Sequence, residues 1–165
     1  IINLENLRVL DFGCGTGLLS ERLSSLASSI VALDPSEKMT TVLKSKHLPN
    51  VETITGYISR DFINDNNEFT VKFDLVVASS VCSFLPNYEG ILRLIKTLLT
   101  KNGSFVQWDW LSSDKDSDFG LSEQIIRNAF DNVGLAISEI CQPFSIKSSK
   151  RTAKVIMGVA KNEHN

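Results

Sequence analysis

Val9-Leu10-Asp11-Phe12-Gly13-Cys14-Gly15-Thr16-Gly17-Leu18-Leu19 is the stretch on which the reading of the chain turns. The apolar run Leu7 to Phe12 reads as a buried parallel strand with one acid, Asp11, inside it. Glycines then fall at 13, 15 and 17, and a helical pattern with Leu19, Leu23 and Leu26 on one face follows directly. Strand, glycine turn and helix together bring backbone close to a nucleotide-like ligand at a helix N-terminus. Glycine suits such a turn because it takes positive φ and leaves no Cβ in the ligand's way.

The 165 residues suit one domain, able to bury roughly 70% of its unfolded surface. A net charge of −2 gives no pull toward nucleic acid or an anionic membrane. No apolar run approaches the ~20 residues of a bilayer span, and no signal peptide is evident. Cys14, Cys82 and Cys141 lie far apart with no CxxC pair, which points to a reducing, cytoplasmic setting without disulfides or a zinc site. The only histidines are His47 and His164, so no metal is expected. Ile1 stands about six residues before the first strand and is not Met, so the chain reads as part of a longer protein.

Taken in order, the pattern predicts a strand at 8–12, a helix at 16–27 and a strand at 30–33 that ends in Asp34. Asp34-Pro35-Ser36 opens a second helix, with Ser or Asp as cap and Met39, Val42 and Leu43 as its buried side. Strand three spans 51–55, and the polar stretch 56–67 is a loop with a short helical turn. Strand four (73–78), a helix from Tyr88 to Thr100, and strand five (104–110) follow. Residues 111–120 read as a mobile loop. A helix at 121–133 turns Ile125, Ile126, Ala129 and Phe130 inward and is capped by Gly134. Strand six covers 136–144, a basic loop 147–154, and strand seven 153–160. Residues 1–6 are a lead-in and 161–165 a polar tail of what reads as a single domain, 1–165. Alternating strands and helices argue a doubly wound, mostly parallel α/β sheet, and the last two strands, joined by a loop, should be antiparallel neighbours.

The glycine spacing is GxGxG; a GxGxxG dinucleotide turn would need glycine where Leu18 stands, which disfavours an NAD-binding oxidoreductase. Asp34 ends strand two, 17 residues beyond Gly17, where a carboxylate can accept from both hydroxyls of a ribose. No GxxxxGK[ST] run is present, which argues against a nucleoside triphosphate.

With these residues in place, the chain resembles the class I S-adenosylmethionine-dependent methyltransferases. Val9 to Gly17 is similar to their first motif, and Asp34-Pro35-Ser36-Glu37-Lys38-Met39 to their second. Phe73-Asp74-Leu75-Val76-Val77-Ala78-Ser79 resembles the segment that ends strand four. Leu98-Leu99-Thr100-Lys101-Asn102-Gly103-Ser104-Phe105 resembles the run into strand five, usually written with Pro-Gly-Gly. The resemblance spans nearly the whole chain in order. It implies a Rossmann-like seven-stranded sheet of order 3-2-1-4-5-7-6 with strand seven antiparallel, and helices before the first strand that cover the cofactor.

The resemblance also implies roles. Gly13, Cys14, Gly15 and Gly17 would pass under the methionine and ribose parts of S-adenosylmethionine. Asp11 would sit near the methionine amino group, Asp34 and Pro35 at the ribose, and Met39, Tyr57 and Ile58 around the adenine. Ala78 and Ser79 would border the methionine end. Gly56-Tyr57-Ile58 stands where the family often has Gly-Asp-Ala, so the adenine amino group lacks its usual acceptor there, and Asp61 is a possible substitute. Plainer roles compete: Asp11 as a strand-end backbone partner, Asp34 as a helix cap, Met39 as core, and Cys14 as a small turn residue.

The acceptor is harder to read, because methyl transfer mainly needs alignment and needs a base only for a protonated acceptor. The Asn/Asp-Pro-Pro-Tyr/Phe signature is absent, since Ser79-Ser80-Val81-Cys82 follows strand four, and Pro86 is not preceded by a cysteine, so the RNA cytosine C5 pattern is missing as well. Ser80, Ser83, Phe84, Tyr88, Trp108, Asp109 and Trp110 are the acceptor-side candidates, with Asp109 and Tyr88 the catalytic ones. Gln107-Trp108-Asp109-Trp110 could bind a cation or a flat acceptor, or could be core aromatics beside a strand-end acid. The Lys147, Lys150, Arg151 and Lys154 cluster reads as a solvated loop or a phosphate contact. The expected function is methyl transfer to a small-molecule N or O acceptor, yielding S-adenosylhomocysteine. The alternative is a methyltransferase-like module that binds cofactor or partner without catalysis.

Overall fold

The apolar segment around Val9 and Leu10 forms β1 (Arg8–Phe12), near the middle of an eight-stranded sheet. The structure, a computed structural model, describes residues 3–112, 120–147 and 152–163. The remaining elements are α1 (Leu18–Ser24), β2 (Ser29–Asp34), α2 (Glu37–Lys44), β3 (Val51–Thr55), α3 (Arg60–Asp65), β4 (Phe73–Ser79), α4 (Tyr88–Leu98), β5 (Leu99–Trp110), α5 (Glu123–Val133), β6 (Ala136–Cys141), β7 (Ser145–Lys147) and β8 (Thr152–Lys161). The order is β3-β2-β1-β4-β5-β8-β6, with β7 on the flank of β8. The pairings from β3 to β5 are parallel, and β8 runs antiparallel to both β5 and β6.

This is the expected topology with one addition. The stretch read as strand six breaks after Cys141 and resumes as the three-residue β7. Pro143 sits in the gap, has no N–H to give to a ladder, and so ends the strand. The expected strand seven is therefore β8.

Side chains alternate across each strand and build two cores. Leu10, Leu33, Val76, Ala78 and Phe105 face Leu92 and Ile95 of α4 and Ile126 and Phe130 of α5. Val9, Ile30, Leu75, Val77 and Val106 face Leu23 of α1. The helix faces correct the sequence reading in detail. In α2 it is Thr40 and Leu43 that are buried, while Met39 and Val42 lie exposed. The Thr40 hydroxyl is matched by a partner, Thr55 Oγ1 at 2.6 Å, so a polar residue is accepted inside. Ile125 of α5 and Leu26, beyond the end of α1, are likewise exposed.

The tail also differs from expectation. Asn162 is fully buried, and its backbone exchanges hydrogen bonds with Asn102 N–H and the Gly103 carbonyl. Its side-chain amide donates to the carbonyls of Leu99 and Thr100. The loop expected at 111–120 is pinned at its ends, where Leu121 N–H donates to the Trp110 carbonyl and Ser112 N–H to the Leu121 carbonyl. Its middle, 113–119, and Lys150 and Arg151 of the basic cluster lie outside the described residues. Among the described residues, no helix is long and apolar enough to cross a membrane.

Candidate active site

The glycine turn leaves β1 and is stitched at once to β2, because Gly13 and Cys14 N–H both donate to the Leu33 carbonyl. Gly13 and Gly15 have φ of +72° and +53°, in the left-handed region. A Cβ on Gly13 would stand 2.3 Å from Val81 Cγ2, so the turn after β4 packs directly on it. A Cβ on Gly15 would meet nothing within 4 Å. Gly13 is thus demanded by the protein's own packing, whereas Gly15 offers an open face to a ligand.

Asp34, at the end of β2, holds this turn in place. Its Oδ2 accepts from Gly15 N–H and its Oδ1 from Ser36 N–H, both at 2.9 Å. The helix cap is a different residue, Ser36, whose hydroxyl accepts from Met39 N–H. Asp34 therefore ties the glycine turn to the start of α2, and each carboxylate oxygen keeps a lone pair for a further donor.

Asp11 is buried beneath the turn, with Oδ2 accepting from the Ser20 hydroxyl of α1 at 2.5 Å. Burial pushes its carboxyl up from 3.8 to about 6, against the pull of the Ser20 hydroxyl and N–H. Between those two pH values the native state holds a proton that the unfolded chain has lost, so this group's contribution to stability falls as pH rises from about 4 to about 6. The difference corresponds to about 3 kcal/mol. Asp11→Asn is accordingly expected to be more stable than wild type at pH 8 by up to about 3 kcal/mol, and to lose that advantage near pH 4. Urea unfolding at the two pH values reads this directly, and a pH-independent difference would show an ordinary carboxyl at position 11. Cys14, in the same turn, is also buried, and burial followed by the Asp11 and Asp34 charges pushes its thiol up to about 12. It remains a thiol and fills space.

The turn after β4 is organised from β5. Ser80 takes a φ of +58°, and its N–H donates to the Trp108 carbonyl at 2.7 Å. Ser83 N–H, in the 3-10 turn Cys82–Phe84, donates to Asp109 Oδ1 at 3.1 Å. Tyr88 of α4 donates its hydroxyl to Gln107 Oε1 at 2.5 Å. Asp109 is 1% exposed, and its burial raises its pKa against the pull of the Ser83 and Cys82 groups. Burial foremost also raises the Cys82 thiol and the Tyr88 hydroxyl, so both stay protonated.

Residues 10–105 match the family model described as "Methyltransferase domain". The chain belongs to the methyltransferase family. Its Rossmann-like fold is that of the class I, S-adenosylmethionine-dependent branch. This methyltransferase domain is 26% identical, over 82% of its length, to an uncharacterized methyltransferase of Schizosaccharomyces pombe, of which it covers 56%. It is 32% identical, over 61% of its length, to the ubiquinone biosynthesis O-methyltransferase of Pelagibacter ubique, of which it covers 40%. The domain thus spans roughly half of the curated relatives it matches. In structure, it superposes on an S-adenosylmethionine-dependent methyltransferase from Mesorhizobium loti with a TM-score of 0.75 at 16% identity, covering 98% of this chain and 93% of that one.

Within the methyltransferase domain the cofactor-side residues expected from sequence come together. The glycine turn, Asp34, Pro35, Tyr57, Ile58, Ala78 and Ser79 all lie at or just beyond the carboxyl ends of β1 to β4, joined by the parallel registers of these strands. Tyr57 is 79% exposed, Ile58 and Ala78 are buried, and Met39 stands exposed in α2. Asp61 is exposed in the first turn of α3. The acceptor-side run is divided by strand alternation, since Trp108 packs with Val77 and Val106 while Gln107 and Asp109 bond to Tyr88 and Ser83 on the other face, yet Ser80, Trp108, Asp109 and Trp110 all border one recess. Sequence reasoning missed Ser20 and Val81. Ser20 was detectable as a polar residue three positions before Leu23, on the buried stripe of α1. Val81 had no local signal, because its partner Gly13 lies 68 residues away.

Proposed function

We propose that the domain binds S-adenosylmethionine across the carboxyl ends of β1 to β4 and directs methyl transfer to an N or O atom of a small molecule. The observation that supports this most is the Asp34 carboxylate, held by Gly15 and Ser36 N–H beside a glycine whose outer face is open. In this reading Asp34 accepts from the ribose hydroxyls, and Gly13, Cys14, Gly15 and Gly17 form the cradle beneath ribose and methionine. Asp11 lies near the methionine amino group, whose positive charge would draw the raised carboxyl back toward ionisation. Pro35, Met39, Tyr57 and Ile58 border the adenine, and Ala78 and Ser79 the methionine end. When bound, the sulfonium makes the methyl carbon electrophilic: an acceptor lone pair bonds to that carbon as the C–S bond breaks, the pair stays on sulfur to give S-adenosylhomocysteine, and the acceptor's proton leaves to water. The chain's part is to hold donor and acceptor in line and to limit water. Asp109 is 1% exposed and holds the turn Cys82–Phe84 through Ser83 N–H, and the half-buried Tyr88 gives its hydroxyl to Gln107, so both act as supports of the acceptor side. The ubiquinone O-methyltransferase relative supports a small-molecule acceptor, and the free cysteines support a cytoplasmic setting.

Calorimetry on the intact protein is expected to show one site each for S-adenosylmethionine and S-adenosylhomocysteine. No heat with either would overturn the reading, and tight NAD binding would put an oxidoreductase in its place.

A further inference from the structure

Asp109 and its two tryptophan neighbours look from sequence like one cluster, but strand geometry divides them. Trp110 pairs with Val155 and Trp108 with Met157 across β5 and β8, and Ser79 of β4 pairs with Trp108. Paired residues point to the same face of a sheet. Ser79, Trp108, Trp110 and Val155 therefore share the α1 face, while Gln107 and Asp109 share the α4 face with Tyr88 and Ile156. Phe144, whose carbonyl accepts from Val155 N–H, and Ile146 of β7 stand beside the tryptophans, each about half-exposed. With Ser79, Ser80 and Asp109 they line a recess of about 190 Å³.

We propose that this recess is the acceptor subsite and takes an uncharged planar ring bearing a hydroxyl or amino group. The inference rests on the methyl-transfer reading above. Trp108, Trp110 and Phe144 offer rigid aromatic surface for offset or edge contact with a flat ring. The exposed hydroxyls of Ser79 and Ser80 can donate to or accept from its substituents. Asp109 also borders the recess, but it is 1% exposed and its Oδ1 is held by Ser83 N–H on the opposite face, so it presents almost no carboxylate surface to a cation. The volume is below the ~300–1,000 Å³ of drug-sized sites and suits a single ring. The recess also lies next to the proposed donor cleft: Ser80 closes one side of it, and the following residue, Val81, packs on Gly13.

The test is calorimetry on the intact protein saturated with S-adenosylhomocysteine. Catechol is the flat, uncharged probe, cyclohexane-1,2-diol its non-planar counterpart and phenyltrimethylammonium the cation. Catechol is expected to bind saturably, and the other two about tenfold more weakly or worse. Trp110→Ala is expected to weaken catechol about tenfold with the affinity for S-adenosylhomocysteine unchanged. Phe144→Ala, at a half-exposed side chain, gives a second reading should Trp110→Ala fail to fold. Equal or tighter binding of either control, or catechol binding indifferent to both variants, overturns the proposal. Absence of S-adenosylhomocysteine binding sinks the methyl-transfer reading itself, whereas its presence without catechol binding sinks only the subsite.

Discussion

Asp34→Ala raises the Kd for S-adenosylmethionine by about two orders of magnitude or more. Two losses add. The first is the proposed pair of charge-assisted bonds to the ribose hydroxyls, which would be worth about 1.5–3 kcal/mol each when made to a carboxylate. The second is the clamp itself, since Gly15 and Ser36 N–H both lose their acceptor and the turn loses its tie to α2. A hundredfold loss needs only about 2.8 kcal/mol, so the two together exceed it. Asp34→Asn is not a rescue. The two oxygens face two N–H donors, so an amide NH₂ must point at one of them. Its Kd is expected between those of wild type and Asp34→Ala. Calorimetry for affinity and urea unfolding for stability separate the ligand part from the clamp part, and an unchanged Kd in Asp34→Ala would remove the ribose assignment.

Gly13→Ala is expected to destabilise the domain by about 2–4 kcal/mol. Holding a residue with a Cβ at φ +72° costs about 1–2 kcal/mol. Overlap with Val81, at 2.3 Å from a β-branched side chain with little freedom to turn away, adds about 1–3 kcal/mol. The two parts can be told apart. Adding Val81→Ala to Gly13→Ala should recover the overlap and leave the backbone cost, so the double variant is more stable than the sum of the singles predicts. Gly15→Ala shares the positive φ but meets no protein atom, so it should cost only the backbone part while still weakening the cofactor. Urea melts of wild type and the four variants decide this, and strict additivity of Gly13→Ala and Val81→Ala would mean that the turns do not touch.

Much of the fold could be read from local pattern. The β1 run, the glycine turn and the acid ending β2 are contiguous signals, and each predicts its own neighbour. Topology followed because helices separate the early strands, whereas β6 and β8 have none between them. What could not be read depended on distant partners. Met39 looked like core because it is apolar on a short helix, yet Thr40 took the buried place because Thr55 supplies a hydroxyl to it. Asn162 looked like tail because Lys161 before it and every residue after it are polar, yet three carbonyls and an N–H at the start of β5 wait for it. In the candidate site, Asp34 was legible because its spacing from the glycines is set by one strand–helix–strand unit. The orientation of Asp109 depended on pleat register, and a one-residue offset decides which face a side chain takes.

The position of β8 has a temporal consequence. It lies between β5 and β6, yet it is made after both. A growing chain emerges at about 5–20 residues per second, and until residues 152–161 appear, β5 remains an open edge with Phe105 and Val106 unsupported on that side. The strands that carry Asp11, the glycine turn and Asp34 are complete long before. The wall of Trp110 against Val155 cannot exist until β8 inserts. The donor side we propose is therefore complete earlier in synthesis than the proposed acceptor side, which waits for β8.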